Sequence, residues 1–319
     1  MTGVDLRYEP GLALALGGGG ALGAAHAGVL EVLAERGIYP SIVVGTSAGA
    51  IAAGAYANGR DPYEFTELVL KANWGDFGTF SMAPGLGILN TDGLRETVER
   101  VGQDRLIEDL PFRFAAIATD LSSQQPVIID HGPLSEAVGA SIAVPGLFRP
   151  KRLDGRTLMD GGMVQNLPLE AAFEMGATHV IGVRLAPEWD YLPRSRSALR
   201  VHEFEIRDDV TLISPRLRHR SQWIARDLPG LVQLGREAAE EALADYPVIR
   251  PRPDAVVETS TGVEVSTGVE VSAPAEVITV AEVSAPEPPP TPEPPVQPLP
   301  VDPPELERSR SVATFFRKR

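Results

Sequence analysis

The sequence predicts an α/β fold built on a mostly parallel sheet with helices on both faces. Short apolar runs alternate with helix-period segments over roughly the first 250 residues. Glycine-rich turns follow two of the early apolar runs, at 17–20 and 45–49. Apolar residues make up 43% of the 319-residue chain, enough for a large buried core.

"LALAL" at 12–16 is a short apolar run ending in glycines and reads as a buried strand. "ALGAAHAGVLEVLAERG" sets Val29, Leu30 and Leu33 at helical spacing, with Gly37 as the stop. "SIVVG" is a second strand, and "AGAIAAGAYANG" a second helix closed by Asn58 and Gly59. "DPYEFTELVLKA" opens on Asp61 as N-cap, with Pro62 in the first turn. "TDGLRETVERV" is a further helix; "FRFAAIATDL", "QPVIID" and "THVIGVRL" are strands. "GRTLMD" is a short strand that ends at Asp160.

Composition narrows the function. A net charge of −14 argues against a nucleic-acid partner and against strong attraction to anionic lipid. With no cysteine, disulfides and thiolate metal sites are excluded. The first residues carry no apolar stretch of signal type, and no segment reads as a membrane span, so a cytoplasmic protein is expected. Composition shifts near residue 250, giving a folded domain over 1–250 and a tail over 251–319. Residues 281–304 hold eleven of the 29 prolines and read as a disordered, extended linker. The tail ends in "SRSVATFFRKR". It suits a Pro-recognising protein partner, or peripheral membrane contact through Phe315 and Phe316.

"GGGGALG" at 17–23 stands at the carboxyl end of the first strand and opens a helix. Uncovered amides at such a place favour negative charge. A dinucleotide site fits Gly18, Gly20 and Gly23, yet the second strand lacks the acid that holds a ribose. An oxyanion hole fits if a nucleophile ends the neighbouring strand. Ser47 does so, in "GTSAG", where Gly45 and Gly49 let strand and helix pack closely.

No histidine is obviously placed to activate that serine. His179 precedes its strand, His202 and His219 lie in an arginine-rich stretch, and His131 precedes a Gly-Pro turn. His26 is nearest but lies on the glycine-loop helix and reads as structural. Asp160 ends a strand, and Gly161 and Gly162 then bend the chain sharply. It is a candidate base if desolvated, though this segment alone does not separate a base from a turn-capping aspartate.

Together "GGGGALG", "GTSAG" and "DGG", in this order and spacing, resemble the patatin-like phospholipases. "AAHAGVLEVLAERGI", "LPFRFAAIATDLSS", "ASIAVPGLFRP", "DGGMVQNLPL" and "MGATHVIGVRL" look like the bacterial branch, and "GLVQLGREAAEEAL" like its closing helix. The resemblance covers about residues 11–245. It implies a three-layer αβα sandwich and an acyl hydrolase with a Ser–Asp dyad, needing neither metal nor cofactor. Ser47 would be the nucleophile and Asp160 the base. Gly17, Gly18, Gly19 and Gly20 would supply oxyanion amides, with Ala48 adding another. The implied substrate is a lipid ester or phospholipid. One position departs: the family pattern usually has a basic residue where this chain has Leu22. Residues 74–90 read either as a flap, with Trp74, Phe77, Phe80, Met82 and Leu86 on an acyl chain, or as an irregular loop whose apolar residues fill the core. The alternative function is a weakly active or inactive hydrolase fold that acts as an interaction protein through its Pro-rich tail.

Overall fold

In the computed structural model, residues 9–71, 105–185, 203–204, 206–223 and 227–246 are described. The expected flap or loop at 74–90, the helix at 91–101, His202 and the tail at 251–319 lie outside them. Contacts divide the chain into units Met1–Val256 and Val257–Arg319, and the described residues all belong to the first.

The strands are β1 (Glu9–Leu16), β2 (Pro40–Thr46), β3 (Arg113–Asp120), β4 (Pro126–Ile129), β5 (Lys151–Leu153), β6 (Arg156–Asp160), β7 (His179–Val183) and β8 (Val210–Ile213). The helices are α1 (Ala24–Glu35), α2 (Ala48–Ala57), α3 (Pro62–Lys71), α4 (Leu134–Ser141), α5 (Leu169–Glu174) and α6 (Leu228–Ala242). One hydrogen-bonded path runs β5-β6-β3-β2-β1-β7-β8, with β4 also on β3. The pairs β3–β2, β2–β1, β1–β7 and β7–β8 are parallel; those involving β4, β5 or β6 are antiparallel. The parallel order reverses direction at β1, the kind of switch point where open sheets place their sites.

Strand parity sorts the core into two layers. Leu12, Leu14, Leu16, Val43, Phe114, Ala116, Ile181 and Val183 join the helices α1, α2, α3, α4 and α6 in one cluster. Ala13, Ala15, Ile42, Val44, Ala115, Ile117 and Val180 face the opposite way, against Leu167 and helix α5. The helix signals hold at their ends. Asp61 Oδ1 accepts from the amides of Tyr63 and Glu64 at 2.9 and 3.2 Å, capping α3. Gly37 takes φ +69° just past α1, a conformation glycine adopts without strain. Among the described residues no helix is long and apolar enough to cross a membrane.

Helix α1 follows the glycine stretch and is clamped by α6. A Cβ on Gly28 would meet the Val232 carbonyl, and one on Gly235 the Ala25 carbonyl, so the two helices approach backbone to backbone. Arg236 of α6 reaches across, donating from Nη1 to Glu31 at 2.7 Å and from Nη2 to Glu35 at 2.8 Å. Thr66 donates to the same Glu31 at 2.6 Å. Glu31 is buried, so removing its cation leaves a charge with poor solvation. Arg236→Met is expected to cost about 1–3 kcal/mol, less than a fully buried pair because Arg236 is partly exposed. Adding Glu31→Gln should restore most of the loss. Denaturant melts of the two variants check this.

Candidate active site

The register of β3 brings two distant segments together. Along one edge, Ala116–Thr119 pair with β4. β2 pairs with the opposite edge and ends with Thr46 beside Ile117. β6 begins its pairing one residue later, with Asp160 beside Ala118. The overlap with β4 leaves β6 only the edge that β2 uses. β2 and β6 therefore run toward each other and stop head to head. Each turns away at its last residue, which sets the Ser47 and Asp160 segments side by side.

Ser47 sits in the turn from β2 into α2 at φ 53° and ψ −121°. A non-glycine residue held there stores roughly 1–3 kcal/mol of strain. The glycines on either side make the turn feasible. A Cβ on Gly45 would strike the Gly49 carbonyl, and one on Gly49 the Leu16 carbonyl. The Ser47 N–H donates to Ser141 Oγ at 2.8 Å. That hydroxyl donates in turn to the Ile117 carbonyl at 2.6 Å. Ser141 is fully buried at the end of α4, and two residues later Ala143 accepts the Asp160 N–H at 3.0 Å. Thr119 Oγ1 donates to the Asp160 carbonyl at 2.7 Å, and Thr46 Oγ1 to the Gln165 carbonyl at 2.9 Å. Both segments are thus held through their main chains, without use of the Ser47 hydroxyl or of Asp160 Oδ2.

Asp160 is 6% exposed. Its Oδ1 accepts the Gly162 N–H at 2.7 Å, so the aspartate does cap the turn that follows. Its Oδ2 has no hydrogen-bond partner among the described residues. Burial pushes the carboxyl up to about 6, while the Ser47 hydroxyl and the Gly162 amide pull it back. The serine hydroxyl is close enough to be felt by the carboxyl without forming a hydrogen bond to it. Such a carboxylate is a better base than one in water.

The glycine loop corrects one expectation. Gly17 N–H donates to the Val183 carbonyl at 3.0 Å and Gly18 N–H to the Asn166 carbonyl at 3.1 Å. Both amides are spent on holding the loop to β7 and to the segment after Asp160, so neither is available to a substrate. The amides of Gly19, Gly20 and Ala48 have no acceptor among the described residues. Ala48 also begins α2, whose N-terminus favours negative charge. Ala21 N–H donates to the Gln222 carbonyl at 2.8 Å, fixing the far side of the loop.

His26 takes no part in activating Ser47. It is wholly buried, and its Nε2 bonds the Gly17 carbonyl at 2.8 Å, so Nε2 carries the hydrogen. Burial lowers its pKa to about 4 and keeps it neutral. His179 bonds Thr211, His131 lies exposed beside Asp130 and Asp154, and His219 sits at φ 66° in a surface turn. Leu22 is 2% exposed and belongs to the core. Among the described residues, no cluster of three or more His, Asp or Glu side chains is arranged to hold a metal.

Sequence does not point to Ser141 or Thr119 as supports of the site, whereas His26, which reads as structural, holds the glycine loop. Ser141 lies 94 residues from the amide that it accepts, so no local pattern reports it. The sole signal was a buried polar residue inside the apolar run "ASIAV".

Two outcomes follow from this geometry. The folded state holds the Asp160 proton more tightly than the unfolded chain, whose carboxyl titrates near 3.8. Its favourable contribution is complete below that value and is lost as pH rises through about 6. Asp160→Asn should therefore raise stability at pH 8 by on the order of 2–3 kcal/mol and change little at pH 3.5, which melts at the two pH values will read. Ser141→Ala strands the partly buried Ser47 amide and the Ile117 carbonyl. It should cost about 1–3 kcal/mol and speed amide hydrogen exchange at Ser47.

Comparison with known proteins supplies the family. A family model described as patatin-like phospholipase matches residues 14–173. An uncharacterized NTE family protein of Mycobacterium tuberculosis is 38% identical over 185 residues, taking in 56% of this chain and 49% of that protein. Patatin-like phospholipase domain-containing protein 7 of Mus musculus is 36% identical over 181 residues, or 54% of this chain and 13% of its own. The corresponding protein 6 of Homo sapiens is 34% identical over 181 residues, again 54% and 13%. The aligned region thus spans about half of the mycobacterial relative and a small part of the mammalian ones.

Proposed function

Because the chain belongs to the patatin-like phospholipase family, we propose that it is a serine acyl hydrolase that cleaves lipid acyl esters, of phospholipase A or lysophospholipase type. Ser47 is the nucleophile and Asp160 the base. The amides of Gly19, Gly20 and Ala48 receive the oxyanion. The observation that carries this reading is Ser47 at a positive-φ elbow beside a buried carboxyl raised to about 6. Lipid esters as the substrate class are supported by the phospholipase names of the mammalian relatives.

Attack begins with the Ser47 hydroxyl on the ester carbonyl. Its proton passes to Asp160, and negative charge grows on the carbonyl oxygen. Each well-aimed N–H donor at that oxygen is worth about 3–4 kcal/mol in the transition state. The tetrahedral intermediate collapses as Asp160 hands its proton to the leaving alkoxide, the alcohol departs, and an acyl-serine remains. Water then attacks the acyl carbon, with Asp160 taking its proton and returning it to Ser47 as the fatty acid leaves.

Hydrolysis of p-nitrophenyl esters of increasing chain length tests the assignment. Ser47→Ala should bring turnover to background, a loss of roughly a thousandfold or more. The wild-type kcat/KM should rise with pH to a plateau above about 6, where Asp160 is ionised. Below that it should fall about tenfold per unit. Asp160→Asn should remove both the activity and this acid limb. Full activity in Ser47→Ala would sink the reading.

A further inference from the structure

We propose that Asn166 is a catalytic residue that holds the water which hydrolyses the acyl-serine. The inference rests on the reading of Ser47 and Asp160 given above. Asn166 is 8% exposed, and neither atom of its carboxamide has a hydrogen-bond partner among the described residues. Its carboxamide atoms are not among the sealed, unpaired side-chain atoms of the described residues, so they still reach solvent, from which a water can come. Its main chain is fully employed, since the Asn166 carbonyl accepts the Gly18 N–H at 3.1 Å. That bond pins the residue to the glycine loop.

The two neighbouring glycines locate the carboxamide. A Cβ on Gly18 would stand 2.5 Å from Asn166 Oδ1 and 3.2 Å from Ser47 Cβ. A Cβ on Gly162 would stand 3.1 Å from the same Oδ1 and 2.9 Å from Asp160 Oδ1. The Asn166 side chain therefore lies within a few ångströms of both the nucleophile and the base, in space that glycines at 18 and 162 keep open. Side chains at either position would fill the gap.

The two half-reactions make different demands. In acylation the attacking oxygen is Ser47 Oγ, which the elbow already holds. In deacylation the attacking oxygen belongs to a free water, and orientation must come from elsewhere. Asp160 Oδ2 accepts one water hydrogen as the base. Asn166 Oδ1 accepts the other and aims the water oxygen at the acyl carbon. The water proton passes to Asp160, the new C–O bond forms, the Ser47 Oγ–acyl bond breaks, and Asp160 returns the proton to Ser47. A carboxylic acid and free serine result.

The test is pre-steady-state hydrolysis of p-nitrophenyl butyrate by wild type, Asn166→Leu and Asn166→Asp. Acyl-serine is followed by intact mass, and folding is checked by circular dichroism. Asn166→Leu keeps the side-chain length without hydrogen bonding. It should leave the acylation burst within about twofold and slow acyl-serine decay on the order of 10- to 100-fold, so that acyl-enzyme accumulates. Asn166→Asp keeps the acceptor, and its deacylation should recover toward wild type at alkaline pH, where Asp160 remains ionised beside it. If burst and decay fall together in Asn166→Leu, the residue serves both steps, as an oxyanion donor or a support of the loop, and the proposal is overturned. Unchanged decay in Asn166→Leu overturns it too, and leaves the Ser47 assignment standing. An unacylated wild type overturns both.

Discussion

The site depends on two strands ending head to head on one edge of β3. β2 stops opposite Ile117 and β6 opposite Ala118. Strand register is fixed in steps of one residue, and a slip by one would turn every side chain of β6 to the other face. The meeting of serine and aspartate is therefore set by backbone pairing before either side chain contributes. Parity then fixes the faces: Ile117 packs into the layer under α5, while Ala118 packs into the layer under the other helices. A core sorted this cleanly resists slippage, and the site inherits its precision from that resistance.

The second constraint is the cost of burying polar groups where chain segments turn away from a sheet. Each segment loses ladder partners at its end, and a lost partner in the interior costs roughly 1–3 kcal/mol. The chain replaces them with side-chain hydroxyls: Ser141 for the Ser47 amide, Thr119 for the Asp160 carbonyl, Thr46 for the Gln165 carbonyl. His26 does the same for the Gly17 carbonyl from within α1. Asp160 Oδ2 and His26 Nδ1 are buried without a partner among the described residues, and the amides of Gly19, Gly20 and Ala48 have no acceptor among them. In the proposed reaction, that carboxylate oxygen and those amides are the groups on which charge would move.

Sequence revealed the parts of this arrangement that are local. Gly37 and Asp61 punctuate α1 and α3 as their types require, and "GTSAG" announces a tight strand-to-helix turn. Asp160 was visible as a strand-end acid before two glycines, although its capping and basic roles could not be separated. The structure shows the cap on Oδ1 and leaves Oδ2 without a hydrogen-bond partner among the described residues. What sequence could not supply was the fate of individual amides. Gly17 and Gly18 looked identical to Gly19 and Gly20. They differ because Val183 and Asn166, both more than 140 residues away, claim the first two. Ser141 and Thr119 are obscure for the same reason: their meaning lies in partners from other elements. Strand β8 was missed because "VTLI" is short and half-buried, with little contrast to its surroundings.

Leu22 shows how the loop manages without a charge. The family pattern usually places a basic residue there, and a cation beside the loop would both hold it and attract anionic groups. In this chain the position is apolar and lies in the core near Gly19. The loop is held instead by three main-chain bonds, to Val183, Asn166 and Gln222, and by the neutral imidazole of His26. None of these varies with salt as an exposed cation would. The positive potential left to the site comes from oriented amides and the start of α2, which falls off within about one helical turn. Such a field acts on charge that develops at the reacting carbonyl far more than on a headgroup several ångströms away. In the proposed reaction, selectivity for the transition state over the ground state would follow from that short range, and it is such a difference in binding that accelerates a reaction.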